Sequence, residues 1–348
     1  MTAVLAIPAD AHARPSCDHD ERVWQEIVDE LTRRHFFLAG AAATFAAACS
    51  RPDTSEHSAQ PASRSVIDAR GTQQIPLEIT RVVCVDGGGD LELAALCGYE
   101  VVGYYDRSTV GAPYPDSMQA AISETAVRLE FEPNPETIAA LSPDLILLDS
   151  SYWADELGEQ LTGIAPVLVT ARSTDPSPSD WRDDFTYFAE ALGHSDQAQV
   201  VIAAYDDKLE QLRQDHAASI AATTINLFQT LPDGSGGGLL PAPTRTLFGT
   251  IVQAVGGSFA TPQDSLVDRL DLVPETIDTL HGDVVVRTAF ALTPDAFAAL
   301  DRNPLWKQLP SVTRGHVSDA AVLVTNFGGP ALATACIDVV ARAYSLAE

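Results

Sequence analysis

The residues of this chain that could ligate a metal or attack a substrate are spaced for neither task. Five cysteines, Cys17, Cys49, Cys84, Cys97 and Cys336, include no Cys-x-x-Cys pair, and no histidine stands at a zinc-binding spacing from any of them. Cys84 in an apolar strand-like run and Cys97 near the end of the next helical segment read as buried thiols, with a bridge between them as the alternative. His57, His194, His216, His281 and His316 are scattered, and His281 falls in a helix-to-strand turn as a surface residue. Asp233-Gly234-Ser235-Gly236-Gly237 lacks the register of a nucleophile elbow, and Gly87-Gly88-Gly89 lacks the lysine of a phosphate loop. Both glycine runs are turns. With no convergent nucleophile, base and stabiliser, the chain reads as a binding protein and not an enzyme, a secreted α/β hydrolase being the alternative of another class. Turnover, as opposed to one-to-one binding, separates the two.

The elements that carry these residues are written twice. Pro135-Glu136-Thr137-Ile138-Ala139-Ala140-Leu141-Ser142-Pro143-Asp144-Leu145-Ile146-Leu147 returns as Pro274-Glu275-Thr276-Ile277-Asp278-Thr279-Leu280-His281-Gly282-Asp283-Val284-Val285-Val286. Proline suits the first helical position, the acid after it complements the helix dipole, and the Ile and Leu three apart share a face. A Pro or Gly ends each helix before an aliphatic run that reads as a strand covered on both faces. Each half also opens on a strand, at Arg81–Val85 and Thr224–Phe228, followed by a helix closing at glycine, with Asp90 as the N-cap of the first. The reading is α/β: two lobes, each with a mainly parallel sheet flanked by helices. Between them Val201, Tyr205, Leu209 and Leu212 fall on one face of a helix from about Ser195 to His216, roughly 33 Å long. The expected divisions are a leader at 1–49, a flexible tether at 50–74, an N-terminal lobe at 75–194, the connecting helix at 195–217 and a C-terminal lobe at 218–348.

The start of the chain is an address. Arg33-Arg34 precedes Phe36-Phe37-Leu38 and an apolar run to Ala48, too short to span a bilayer as a helix and in the pattern of a twin-arginine export signal. Small residues lead directly to Cys49, which reads as a lipobox cysteine. Ala46 and Ala48 also fit ordinary Ala-x-Ala cleavage, which leaves a soluble secreted product as the competing outcome. Met1 to Leu31 is long and acidic for a leader, so the true start falls either at Met1 or downstream of it. A formal net charge of −27 excludes nucleic acid as a partner, because its phosphates demand a field of the opposite sign.

The strand opening at Arg81, the Asn134-Pro135-Glu136 unit leading to Pro143-Asp144-Leu145-Ile146, and Pro304-Leu305-Trp306-Lys307-Gln308-Leu309-Pro310 followed by Arg314-Gly315-His316-Val317 stand in one order. That ordered set resembles the ferric-siderophore and cobalamin class of ABC-importer binding proteins, from about Ile75 to Ala347. The resemblance implies two lobes joined by one backbone helix, a ligand cleft between them, small opening movements, and a monomer tethered by lipid to the outer face of the membrane. It implies delivery of a ferric siderophore to an ABC importer, with cobalamin or haem as alternatives within the class, and no cofactor beyond the iron inside the bound chelate. It also implies that Glu136 and Glu275 dock to the permease, where the alternative is that both merely cap helices. Open α/β sheets bind ligands at the C-terminal ends of their strands. Tyr104, Trp153, Arg245 and Arg287 are the residues expected to line the cleft from those ends, the aromatics packing on ligand faces and the arginines pairing with an anionic chelate.

Overall fold

A computed structural model describes residues 62–107, 114–149, 152–172, 181–231, 235–289, 292–293, 295–321, 325 and 328–348. Arg33, Arg34 and Cys49 lie outside the described residues. The expected tether ends sooner than residue 74, because Ser63–Asp68 (β1) and Gly71–Pro76 (β2) pair as an antiparallel hairpin. Val66 and Ile75 are buried, and the Asp68 carboxylate accepts a hydrogen bond from the Val169 N–H at 3.0 Å. Polar residues on the other face of the hairpin hid this strand signal, since only one side of it meets the core.

The N-terminal lobe is a five-stranded parallel sheet in the order β5-β4-β3-β6-β7, from Arg81–Cys84 (β3), Glu100–Tyr105 (β4), Ile122–Leu129 (β5), Leu145–Leu148 (β6) and Val167–Val169 (β7). Its helices include Gly89–Cys97 (α1), Pro135–Ala140 (α2), Tyr152–Thr162 (α3) and Trp181–Leu192 (α4). The chain begins in the middle of the sheet, runs outward through β4 and β5, then returns to β6 on the other side of β3. The switch point lies between the C-terminal ends of β3 and β6.

Ser195–Asp215 (α5) is the connecting helix at its expected position, about 32 Å long. It packs on α4 through a Trp181–Tyr205 edge-to-face pair, with ring centroids 5.1 Å apart. Its other neighbour is the last helix of the C-terminal lobe. One stiff element thus carries both lobes.

The C-terminal lobe keeps the mainly parallel sheet expected of it and adds an antiparallel edge. Thr224–Thr230 (β8), Gly238–Pro241 (β9), Ser258–Phe259 (β10), Arg269–Leu272 (β11), Val284–Ala289 (β12) and Val317–Ala321 (β13) form a mixed sheet in the order β11-β9-β8-β12-β13, with β10 added on β8. β12 is parallel to β8 and β13, whereas β9 and β11 are antiparallel to their neighbours. The physical reason is connection length: the short link after β8 returns the chain as a hairpin, which permits only antiparallel pairing. Leu247–Ala254 (α6) and Pro330–Ser345 (α7) flank the sheet. No helix among the described residues is long and apolar enough to cross a membrane.

The internal repeat diverges in its helix. Asn134 caps α2 by accepting from the Glu136 and Thr137 N–H groups at 2.8 and 3.4 Å. The second copy starts after Val273, which has no side-chain acceptor, and Pro274–Thr279 is a 3₁₀ helix. Ile138 and Ile277 are nevertheless both fully buried, each in the core of its own lobe. Cys84, Cys97 and Cys336 are buried free thiols, so Cys84 and Cys97 are not bridged.

Candidate functional site

At the N-terminal lobe's switch point the β3–α1 turn is built around buried carboxylates. Gly87 has φ +67, and a Cβ there would run into the Tyr105 carbonyl. Asp90, expected as the N-cap of α1, sits inside the helix and folds back. Its carboxylate accepts from the Asp86, Gly87 and Gly88 N–H groups at 2.9, 3.2 and 2.7 Å. The helix start is capped instead by Asp149, which follows β6 and accepts from the N–H groups of Gly89 and Asp90. Asp86 in turn accepts from the Asp149 N–H at 2.8 Å. Burial and the neighbouring Asp86 raise Asp149 to about 6, and burial with Asp149 and Asp86 pushes Asp90 well up. Arg107 donates to the Asp86 carbonyl and lies 3.9 Å from its carboxylate. These bonds close the turn from within. They hold the loop in place and offer no catalytic triad.

Above this turn, at the same edge of the sheet, four aromatic rings form a chain. Tyr105 ends β4, Phe131 follows β5, and Tyr152 and Trp153 open α3 after β6. Their edge-to-face centroid distances are 5.8 Å for Tyr105–Phe131, 5.7 Å for Phe131–Trp153 and 4.7 Å for Tyr152–Trp153. Trp153 is buried at 8% exposure, while Phe131 and Tyr152 present 68% and 58% of their surface to solvent. Tyr104, the preceding residue of β4, is buried against Tyr114. Of the expected cleft residues, Trp153 is a member of this chain of rings, and Tyr104 packs on Tyr114. Phe131 was missed in sequence, although the alternation Val127, Leu129, Phe131 carried the signal of the strand before it.

The C-terminal lobe reaches the same edge through the segment before α7. Glu92 on α1 is buried, and its carboxylate accepts from the Ala331 and Leu332 N–H groups at 2.6 and 3.1 Å, capping α7 across the two lobes. Gly329 has φ +144, and a Cβ there would overlap the Glu92 carboxylate. The lobes therefore meet at the strand ends, where the aromatic chain stands. Arg245 is exposed at the end of the 3₁₀ turn Pro243–Arg245. Arg287, in β12, donates to Asp319 on β13 at 2.6 Å and to Asp301, and its guanidinium stacks over the rings of Phe297 and Trp306 at 4.1 and 5.7 Å. Glu136 and Glu275 are both exposed in the first turn of their helices.

This geometry of two α/β lobes on one helix, with strand ends converging on a junction, coincides with a match to the periplasmic binding protein family over residues 82–321. The chain belongs to that family. Among relatives of this periplasmic binding protein, the probable siderophore-binding lipoprotein YfiY of Bacillus subtilis is 32% identical over 170 residues, covering 48% of this chain and 50% of that one. The Fe(3+)-citrate-binding protein YfmC of the same organism is 27% identical over 210 residues, 58% of this chain and 61% of that one. The matches thus span about half to three-fifths of the length of these relatives. The solved structure of FeuA, the triscatecholate siderophore-binding protein of Bacillus subtilis complexed with ferri-bacillibactin, has the same fold. Its TM-score is 0.62 at 19% identity, over 82% of this chain and 98% of that one.

Proposed function

We propose that this periplasmic binding protein captures a ferric siderophore in the cleft between its lobes and hands it to an ABC importer. The observation that carries the reading is the aromatic wall of Tyr105, Phe131, Trp153 and Tyr152, two of its rings exposed, at the strand ends where the lobes meet. Tyr104 supports that wall, and Arg245 and Arg287 supply the opposite one. Iron enters only as part of the chelate, and binding without turnover is the activity of the protein. The names of YfiY and YfmC favour an iron chelate over cobalamin or haem. Titration against ferric chelates, a corrinoid and haem should quench tryptophan fluorescence at one-to-one stoichiometry with an iron chelate. Preference for the corrinoid or haem would overturn the ligand class.

Export through Arg33-Arg34 and anchoring through Cys49 complete the reading, supported by the leader pattern and by the lipoprotein name of YfiY. Mass spectrometry of membrane fractions should find a diacylated Cys49, and Cys49→Ser should release the protein. Glu136 and Glu275 serve delivery: both are exposed, at equivalent places in the two lobes, free to meet a pseudo-symmetric partner. The double alanine variant should bind ligand normally yet fail to support uptake, whereas helix-dipole acids would cost only about 0.3–1 kcal/mol of stability and leave uptake intact.

A further inference from the structure

Tyr114 is not one of the stacked rings, yet its hydroxyl fixes the backbone from which Tyr105 joins them. Its side chain is buried at 4% exposure, with the ring tilted against Tyr104 at 6.5 Å. The hydroxyl stands where two strand-end turns cross. It accepts from the Arg107 N–H at 2.9 Å and donates to the Gly87 carbonyl at 2.8 Å, with the Tyr105 carbonyl 3.2 Å away as a second acceptor. Burial pushes the phenol well above its ordinary range, so it keeps its proton and remains a donor. Arg107 makes a second tie, its side chain donating to the Asp86 carbonyl while its guanidinium lies over the Tyr105 ring at 5.9 Å. Two consecutive carbonyls of the β3–α1 turn thus hold the end of β4, and the carboxylates of Asp90 and Asp149 hold that turn. Gly87 completes the fit, because a Cβ there would meet both the Tyr105 carbonyl and the Tyr114 hydroxyl.

A ring at the end of a strand moves with its backbone, and a binding face that must be ordered on contact loses affinity to that ordering. Bonds behind the face remove the cost before the ligand arrives. Tyr105 is the ring through which this applies, since it packs edge-on against the exposed Phe131, which packs in turn on Trp153. We infer that Tyr114 is a positioning residue for ligand capture: its hydroxyl locks the end of β4 to the β3–α1 turn and holds the Tyr105–Phe131 face ready for the chelate. The inference rests on the siderophore reading above.

Tyr114→Phe keeps the ring that packs on Tyr104 and removes only the hydroxyl, so it tests the lock directly. The full-length protein, this variant, Tyr105→Ala and the double variant are titrated by fluorescence with ferric citrate, ferric bacillibactin and ferrioxamine B. For the chelate that the unmodified protein binds most tightly, Tyr114→Phe should lose about tenfold in affinity, and less than about twofold once Tyr105 is alanine. Hydrogen exchange of the ligand-free variant should be faster at the Arg107 amide and unchanged in α5. An equal loss of affinity in both backgrounds would show a general structural role and overturn the proposal. Unchanged affinity, or unchanged exchange at Arg107, would overturn it too, and in each of these cases the siderophore reading stands. If none of the three chelates binds the unmodified protein, both fall.

Discussion

Arg287 shows how a side chain's position and its chemistry come from different sources. Its place near the end of a strand is legible from the aliphatic run Val284 to Val286, yet its two acid partners lie 14 and 32 residues away in sequence. Glu92 makes the same point more sharply. In the sequence it is one acid in an amphipathic helix, but in the fold it caps a helix of the other lobe, 239 residues on. Burial raises Glu92 to about 8 although the Ala331 and Leu332 N–H groups and their helix favour its ionised form, and Asp149 adds to the rise. A carboxyl whose pKa is raised on folding stabilises fully below its unfolded value, and that contribution is lost as pH rises through the folded value. Asp149, at about 6, acts in the same direction. The melting temperature should therefore fall between about pH 5 and pH 9. Glu92→Gln should abolish the fall between about pH 6 and 8 and reduce it below 6, where Asp149 also titrates. Thermal melts across this range check it, and an unchanged slope in the variant would show that Glu92 does not titrate there.

At the scale of elements, the two copies of the Pro-Glu-Thr-Ile unit separate what a motif specifies from what its flanks decide. The buried Ile, the Leu that packs on the core beside it, and the strand after them recur because both lobes need a helix face on a covered sheet. The helix type does not recur, since only the first copy begins with a residue able to accept hydrogen bonds. Asn134→Ala should accordingly destabilise the protein by about 1 kcal/mol. Val273→Ala, at an exposed position with no capping bond, should stay within about 0.5 kcal/mol. Denaturant melts of the two variants give the comparison, and equal losses would mean that the Asn134 cap contributes nothing. The β1–β2 hairpin belongs to this scale too: its polar composition suggested a tether, but two buried aliphatic residues and Asp68 dock it on β7.

At the scale of the whole molecule, the lobes are held by α5, which packs on helices of both, and by the Glu92–α7 cap at the strand ends. A helix of this length packed on α4 and α7 has no loop in which to concentrate a hinge rotation, so closure around a ligand should be small. Small-angle scattering with a saturating ferric chelate that the fluorescence titration shows to bind should give no resolvable change in the radius of gyration. A clear contraction would point to a hinge that α5 does not contain. Tyr205→Ala, which removes a buried ring between α5 and α4, should cost about 3 kcal/mol in the unfolding free energy, because the connector is part of the core and not a spacer.

What the sequence alone determined was local or repetitive. Apolar periodicity set the two α/β lobes and the span of α5, and the ordered motifs indicated the family, because these patterns record which faces are buried whatever they are buried against. Tertiary structure alone decided the antiparallel edge of the second sheet, the Asp86–Asp90–Asp149 turn, the aromatic wall and the pairing of Arg287 with two acids. Each depends on groups brought together from distant strands, and hydrogen bonds and charges act over a few ångströms of space without regard to separation along the chain.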